Sequence, residues 1–369
     1  MSARVVLAMS GGVDSSVAAY LLRKQGYEVI GLFMRTGAHG TEESATPSRK
    51  KGCCSALDAG DARRVADRLD IPFYALDFEK DFDRIIEYFA DEYLAGRTPN
   101  PCVVCNDWLK FGKLWSYGEQ LDADFIATGH YARIVRTEAG PELHRALDPA
   151  KDQSYVLHGI RKSILPRLLF PIGGFTKAEV RELARQADLA VADKPDSVEI
   201  CFVPNGDHAD LIRKRRPGLS TAGQFVDQGG RPLGEHDGIE RFTVGQRKGL
   251  GVALGDRRYV LEIIPASNEV VLGPREDLLA EGLVASRVNW LADVAPGTEL
   301  TCLAKIRYRH EAAASTVHVL PDSNARVYFE VPQSAVTPGQ AVVFYDGNRV
   351  LGGGWIENAL PADDSDEAP

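Results

Sequence analysis

Two groups of side chains in this 369-residue chain have the types and spacing to do chemistry. The first is Ser10-Gly11-Gly12-Val13-Asp14-Ser15-Ser16. Val5 to Ala8 before it are apolar, as in a buried parallel strand, and Val17, Ala18, Ala19, Leu21 and Leu22 after it read as a helix that stops near Gly26. A strand that turns through Gly-Gly straight into a helix makes an anion site. The glycines let backbone approach the ligand, the unpaired amides of the first helical turn point at it, and the helix dipole favours negative charge. Ser10, Ser15 and Ser16 add hydroxyl donors, and Asp14 is expected to cap the first turn. No Gly-Lys-Ser/Thr follows, so this is not a Walker A loop.

The second group is made of thiols. Arg97-Thr98-Pro99-Asn100-Pro101-Cys102-Val103-Val104-Cys105-Asn106 reads as a rigid, proline-held loop ahead of a helix. Cys105 is expected just before that helix, where the dipole favours thiolate. Cys201 follows another proline-containing stretch, Asp193 to Ile200. Persulfide chemistry needs two thiols that can meet. Of the remaining cysteines, Cys302 alternates in a strand pattern and reads as a small buried residue, and Cys53-Cys54 reads as helix-start packing.

Stepping outward, the elements alternate. Strands are expected at 28–33, 73–76 and 125–128, and helices at 57–69, 82–94 and 109–121. Thr36 to Lys51 is polar and reads as a mobile loop. The pattern predicts an α/β fold, a parallel sheet with helices on both faces, whose ligands bind at the carboxyl ends of strands, where Ser10, Met34 and Gly129 fall. Beyond His130 a hairpin is expected across Glu138-Ala139-Gly140, a capping box opens a helix at Thr176-Lys177-Ala178-Glu179, and a short strand at 198–203 carries Cys201. From Asn205 on, short strands alternate with glycine turns. This predicts a small β-rich central domain at 206–280 and a C-terminal β-barrel at 281–358, after a first domain at 1–205. Residues 359–369, with four acidic side chains, read as a disordered tail.

Five stretches resemble those of the bacterial tRNA-specific 2-thiouridylase family. They are the Ser10 to Ser16 loop, which resembles the PP-loop of ATP pyrophosphatases, then Thr98 to Asn106, Ala127-Thr128-Gly129-His130-Tyr131, Lys151-Asp152-Gln153-Ser154-Tyr155 and Ile200-Cys201-Phe202. The resemblance implies that Ala8, Met9, Ser10, Gly11, Gly12, Val13, Asp14 and Ser15 hold ATP, with Met34 and Gly129 near the adenosine and Mg2+ accompanying it. It implies transfer of AMP to the C2 oxygen of the wobble uridine, then delivery of sulfur from a persulfide on Cys201, with Cys105 as the nucleophile that releases it and closes a disulfide. Asn100, Pro101 and Cys102 would line the pocket of the extruded base. His130, Lys151, Asp152, Gln153, Arg307, Tyr308 and Gln340 would contact tRNA. Implied partners are tRNAs with Lys, Glu and Gln type anticodons and a cysteine desulfurase or sulfur-relay protein.

One position departs from the family. Many relatives carry Asp where this chain has Cys102, and that Asp is a candidate proton carrier. The change also creates Cys102-x-x-Cys105 with Cys201, three soft ligands that in some related thiolases hold a [4Fe-4S] cluster. A three-thiol set without a fourth ligand is a weak metal signal, so the persulfide route is preferred. Two further readings are another ATP pyrophosphatase acting on a small molecule, and a non-catalytic tRNA-binding or sulfur-carrier protein. Paired thiols argue against the first, and an intact phosphate loop against the second. The net charge of -9 argues against nucleic acid, although Arg213 to Arg216, Arg247-Lys248, Arg257-Arg258 and Arg307 with Arg309 form local basic clusters. With no apolar run of membrane length and a first strand close to Met1, a cytoplasmic location without membrane association is expected.

Overall fold

The computed structural model describes residues 2–37, 56–196, 200–203, 206–252 and 255–361. The chain forms two compact units. The first is Met1–Ile86 with Pro101–Gly206 and Asn348–Val350. The second joins Glu87–Asn100, Asp207–Gly347 and the chain from Leu351 on.

The first unit is built on β1 (Arg4–Ala8), α1 (Val13–Lys24), β2 (Glu28–Arg35), α2 (Ala56–Leu69), β3 (Phe73–Asp77) and the start of α3 (Glu79–Leu94). A helical run follows: α4 (Pro101–Val104), a π-helical segment Cys105–Lys113 and α5 (Leu114–Gln120). Then come β4 (Phe125–Thr128), the hairpin β5 (Ala132–Thr137) and β6 (Gly140–Arg145), β7 (Leu168–Leu169) and α6 (Lys177–Gln186). The sheet order is β3-β2-β1-β4-β7, and every pairing is parallel. Val5, Val6 and Leu7 of the central strand are fully buried, because a strand covered on both faces has no solvent side. Val5, Leu7 and Ala127 face α1, α2 and α6 in one core. Val6 and Ile126, in register with each other, face the opposite way, and Gly118 of α5 lies directly on Ile126.

The second unit holds two all-β bodies. After α7 (His208–Arg215), β8 (Gly223–Val226), β9 (Pro232–His236), β10 (Tyr259–Ile264) and β11 (Glu269–Gly273) form a sheet ordered β10-β11-β8-β9. It closes over a core of Phe225, Phe242, Val260, Val270 and Leu272. Then β12 (Leu279–Trp290), β13 (Glu299–Lys305), β14 (Ala313–Val319), β15 (Ala325–Ser334), β16 (Ala341–Asp346) and β17 (Arg349–Leu360) run in the order β12-β15-β14-β13-β16-β17. Pairing of β12 with β17 shuts this into a six-stranded barrel, which removes both sheet edges. Its interior holds Leu283, Ala285, Val317, Val327, Val342, Phe344 and Ile356.

Several local expectations need correction. Helix begins at Pro101, not beyond Cys105, because proline at a first helical position gives up only an amide that would be unpaired anyway. Ile200–Val203 is a turn closed by the Val203 amide on the Ile200 carbonyl (2.9 Å), not a strand. The hairpin turns over two residues, Glu138 and Ala139, since Thr137 already pairs with Gly140. β17 continues through Leu360, so the start of the expected tail is paired strand. The 36–51 loop (beyond Gly37), Cys53-Cys54 and the acidic end beyond Pro361 lie outside the described residues.

Candidate functional site

The turn between β1 and α1 lies at the carboxyl end of the sheet. Met9, fully buried, donates its amide to the Leu32 carbonyl (2.8 Å) and fixes how the chain leaves β1. Gly11 adopts φ +72°, a left-handed conformation that costs a side-chain-bearing residue energy. It also sits against α2: a Cβ there would overlap the Asp58 carbonyl. Gly12 is the N-cap, with no side-chain cap on α1. Ser15 and Ser16 hydroxyls instead donate back to the Gly12 carbonyl (3.2 and 2.8 Å), and Ser15 Oγ accepts from the Ser10 amide (3.2 Å). Gly129, one residue past β4, lies on the other side. A Cβ on it would approach the Ser15 nitrogen to 2.7 Å, so only glycine lets the end of β4 sit this close to the first turn of α1. Met34 is half-buried inside β2, beside the same end of the sheet.

Asp14 does not cap the helix. Its carboxylate accepts from Lys177 Nζ (2.8 and 2.9 Å) and from the Tyr131 hydroxyl (2.8 Å). Burial and the adjacent Asp14 charge push the Tyr131 phenol far above its ordinary value, so it stays a donor. Lys194 Nζ donates to the Gly11 carbonyl (2.8 Å) and to Asp58 and Asp61 (both 2.6 Å). Burial alone would lower the Lys194 ammonium, but the two carboxylates outweigh it and raise it. Asp196 in turn meets Lys151 (2.7 Å), Lys177 (2.8 Å) and Arg181 (3.1 Å). Burial there acts to raise the carboxyl, and the bonds from Lys151 and Lys177 overcome it and hold it below the usual range. Sequence reasoning missed Lys177, Lys194, Asp58 and Asp196. Their partners are more than a hundred residues away or, for Asp196, on another element, and no spacing rule reaches that far.

The thiols belong to the same unit. Cys102 is exposed on α4, and Cys105 is half-buried at the start of the π segment. Asn106 beside it is buried and donates to the Val156 carbonyl (3.0 Å), which anchors that turn. Cys201 is half-buried in its turn, and neighbouring Phe202 is buried edge-on against Phe82 of α3 (ring centroids 5.7 Å). Among the described residues, no three His, Cys, Asp or Glu side chains are gathered as a metal would require. Cys102, Cys105 and Cys201 are accordingly not gathered as one ligand set among the described residues. Cys302 is buried in the barrel, and burial pushes its thiol up to about 11.

The remaining expected contacts sit as follows. Pro101 is buried and Asn100 half-buried. His130 is buried between Phe111 and Phe170, with Nδ1 2.6 Å from the Thr128 hydroxyl. Burial and nearby Lys110 keep its imidazole well below its ordinary value, and thus neutral. Asp152 accepts from the Ser154 amide (3.2 Å) and hydroxyl (2.9 Å), and Gln153 Oε1 accepts from the Tyr131 amide (2.9 Å). In the second unit, Arg307 donates to the Ser334 carbonyl (2.8 Å), Gln340 donates to the Thr98 carbonyl (3.0 Å), and Tyr308 is exposed. Arg213, Lys214, Arg215 and Arg216, read from sequence as a phosphate track, are each committed to an Asp or Glu. Arg247, Arg257 and Arg258 instead line an open cavity of about 330 Å³.

Three family models match the chain. They are a tRNA methyl transferase HUP domain at residues 3–205, a tRNA methyl transferase PRC-barrel domain at 211–274 and an aminomethyltransferase β-barrel domain at 280–356. A tRNA-specific 2-thiouridylase MnmA from Rhodopirellula baltica is 50% identical, covering 97% of each chain. The protein of the same name from Geotalea uraniireducens is 50% identical over 97% of this chain and 96% of its own. Among solved structures, NMN synthetase from Francisella tularensis covers 58% of this chain and 77% of its own, with 16% identity and a TM-score of 0.33. No described helix is long and apolar enough to cross a membrane. With a phosphate-type turn at the end of a parallel sheet and near-complete matches at half identity, the chain belongs to the tRNA-specific 2-thiouridylase family of tRNA-uridine 2-sulfurtransferases.

Proposed function

We propose that the chain uses ATP to replace the C2 oxygen of the tRNA wobble uridine, position 34, with sulfur taken from a cysteine persulfide. The observation that carries this reading is the turn at Gly11 to Ser15. It presents helix-start amides at the carboxyl end of the sheet in the unit that also holds two half-buried thiols. ATP would lie with its phosphates on Ala8 to Ser15 and its adenosine toward Met34 and Gly129, and Mg2+ would be held mainly by phosphate and water oxygens.

The C2 oxygen attacks the α-phosphorus, the bond to the β-phosphate oxygen breaks and pyrophosphate leaves. The terminal sulfur of a Cys201 persulfide then attacks C2, and AMP departs with the former oxygen. Cys105 thiolate attacks Cys201 sulfur, which frees the thiouridine and leaves a Cys105–Cys201 disulfide for a thiol reductant to reopen. A desulfurase or relay protein recharges Cys201. Asn100, Pro101 and Cys102 would border the extruded base. His130, Lys151, Asp152, Gln153, Arg307, Tyr308 and Gln340, with the Arg247, Arg257 and Arg258 cavity, would face tRNA. Residues 1–205 would form the catalytic domain, 206–280 a tRNA-contacting domain and 281–358 the barrel, in the cytoplasm.

The test is mass spectrometry of tRNA nucleosides after incubation with ATP, Mg2+ and a persulfide donor. 2-Thiouridine should appear only with ATP and vanish in Cys105→Ser and Cys201→Ser. Activity surviving either change would end the two-thiol route, and no thiouridine from the unsubstituted chain would end the whole reading. Iron retained after anaerobic purification, and lost with Cys102→Ala, would favour a cluster instead.

A further inference from the structure

Lys194-Pro195-Asp196 reaches both ends of the phosphate turn. From one end of this tripeptide, the Lys194 ammonium grips the Gly11 carbonyl and the two α2 carboxylates, Asp58 and Asp61. From the other end, Asp196 binds Lys177, and Lys177 binds both oxygens of Asp14. Residues 11 and 14 bracket the turn, and Pro195 between the two anchors has its φ locked by its ring. All three protons of the Lys194 ammonium have acceptors in this arrangement, so it acts as a joint and has no donor left over for a ligand. Lys151 and Arg181 add further bonds that hold Asp196 in place. Cys201 is the fifth residue beyond Asp196 in the sequence.

We infer that Lys194 and Asp196 are positioning residues that register the Cys201 segment on the phosphate turn, so that nucleotide occupancy and sulfur delivery are coupled. The inference rests on the ATP-and-thiol reading above. A ligand that pulls on Gly11 or Asp14 pulls on Lys194 or, through Lys177, on Asp196. Neither side chain touches the reacting atoms. Their loss should leave adenylation running ahead of thiolation, with activated uridine lost to water before sulfur arrives.

The test measures two products of one reaction: pyrophosphate released and 2-thiouridine formed, with tRNA, ATP, Mg2+ and a persulfide donor. The unsubstituted chain should give close to one thiouridine per pyrophosphate. Lys194→Met and Asp196→Asn should each lower that ratio at least tenfold. A ratio that stays at the unsubstituted value, or two rates that fall together, overturns the inference, because a merely structural role would scale both products alike. If Lys194→Met does not fold, Asp196→Asn decides. Alkylation of Cys201 by iodoacetamide gives an independent readout. A non-hydrolysable ATP analogue should change its rate at least threefold in the unsubstituted chain and not in Asp196→Asn, and an equal response in both chains overturns the coupling. Failure of the unsubstituted chain to make thiouridine would instead sink the functional reading itself.

Discussion

Replacing Gly11 with Ala tests whether the phosphate turn is built the way its geometry says. The residue holds φ +72°, where a Cβ costs roughly 1–2 kcal/mol. That Cβ would also overlap the Asp58 carbonyl oxygen and lie 2.8 Å from its carbonyl carbon. The oxygen sets the limit: carbon and oxygen rest at about 3.3 Å or more, so turn and helix must part by more than ~1 Å. Overpacking of that kind costs about 1–3 kcal/mol, since backbone on both sides cannot rotate out of the way as a side chain would. The total is about 2–5 kcal/mol, and at ~2–4 °C per kcal/mol the midpoint of thermal unfolding should fall by at least ~4 °C. Gly12→Ala is the control. Gly12 holds φ -92°, and its added Cβ meets only Ser10 Oγ at 3.6 Å, an ordinary contact. Its midpoint should move by less than ~2 °C, because the glycine-over-alanine cap preference of about 0.5–1 kcal/mol is offset by the ~0.4–1 kcal/mol gained from a stiffer unfolded chain. Calorimetry without nucleotide reads both, free of any direct effect on ATP. Equal shifts in the two variants, or an unshifted Gly11→Ala, would refute the claim that the turn is wedged against α2.

Three further outcomes follow from the same structure. Thr176→Ala removes a capping box in which Thr176 and Glu179 satisfy each other's backbone amides, and should destabilise by about 1 kcal/mol in thermal or urea unfolding. The Asp196 carboxyl is held low, so its ion pairs stabilise above the unfolded value of about 3.9 and fade as pH falls through the lower folded value. The midpoint gap between the unsubstituted chain and Asp196→Asn should therefore be full at pH 6 and close below about pH 4. Iodoacetamide at pH 8 on the folded chain should label exposed Cys102 well before Cys302, whose thiol is pushed to about 11, as peptide mapping would show.

Much of the sheet was legible because its signals are local. Val5 to Ala8 and Phe125 to Thr128 are short apolar runs, and the Thr176 capping box is written in four residues. The anion turn was legible for the same reason. What escaped depends on distance or on helical phase. Lys194 meets Asp58 across 136 positions, and Lys177 meets Asp14 across 163, so nothing in either neighbourhood announces the pair. Arg213 to Arg216 look like a free basic patch in sequence, but Glu87, Asp91, Asp237 and Glu240 fold onto them. Val198 to Val203 read as a strand from composition alone, although Ile200 and Val203 close on each other in a turn. The π segment had one faint sign, Gly112. A Cβ there would crowd the Asp107 carbonyl five residues back, at 2.9 Å.

That wide-turned segment has a consequence for how the protein can change. The Leu114 amide reaches back five residues, to the Leu109 carbonyl, so the coil carries an extra residue relative to an α-helix. The wide turn takes up that residue, so the faces before and after it keep nearly the alignment of an α-helix. Cys102 and Cys105 lie before the wide turn, and the buried Leu114, Trp115 and Gly118 lie after it. Deleting a single residue between 106 and 113 would let the coil rewind as an α-helix with both faces kept, whereas a deletion within Leu114–Gln120 would turn everything beyond it by about 100°. The wide turn is therefore the place where this rod can lose a residue, while its buried Asn106, Leu109 and Phe111 are held by their packing.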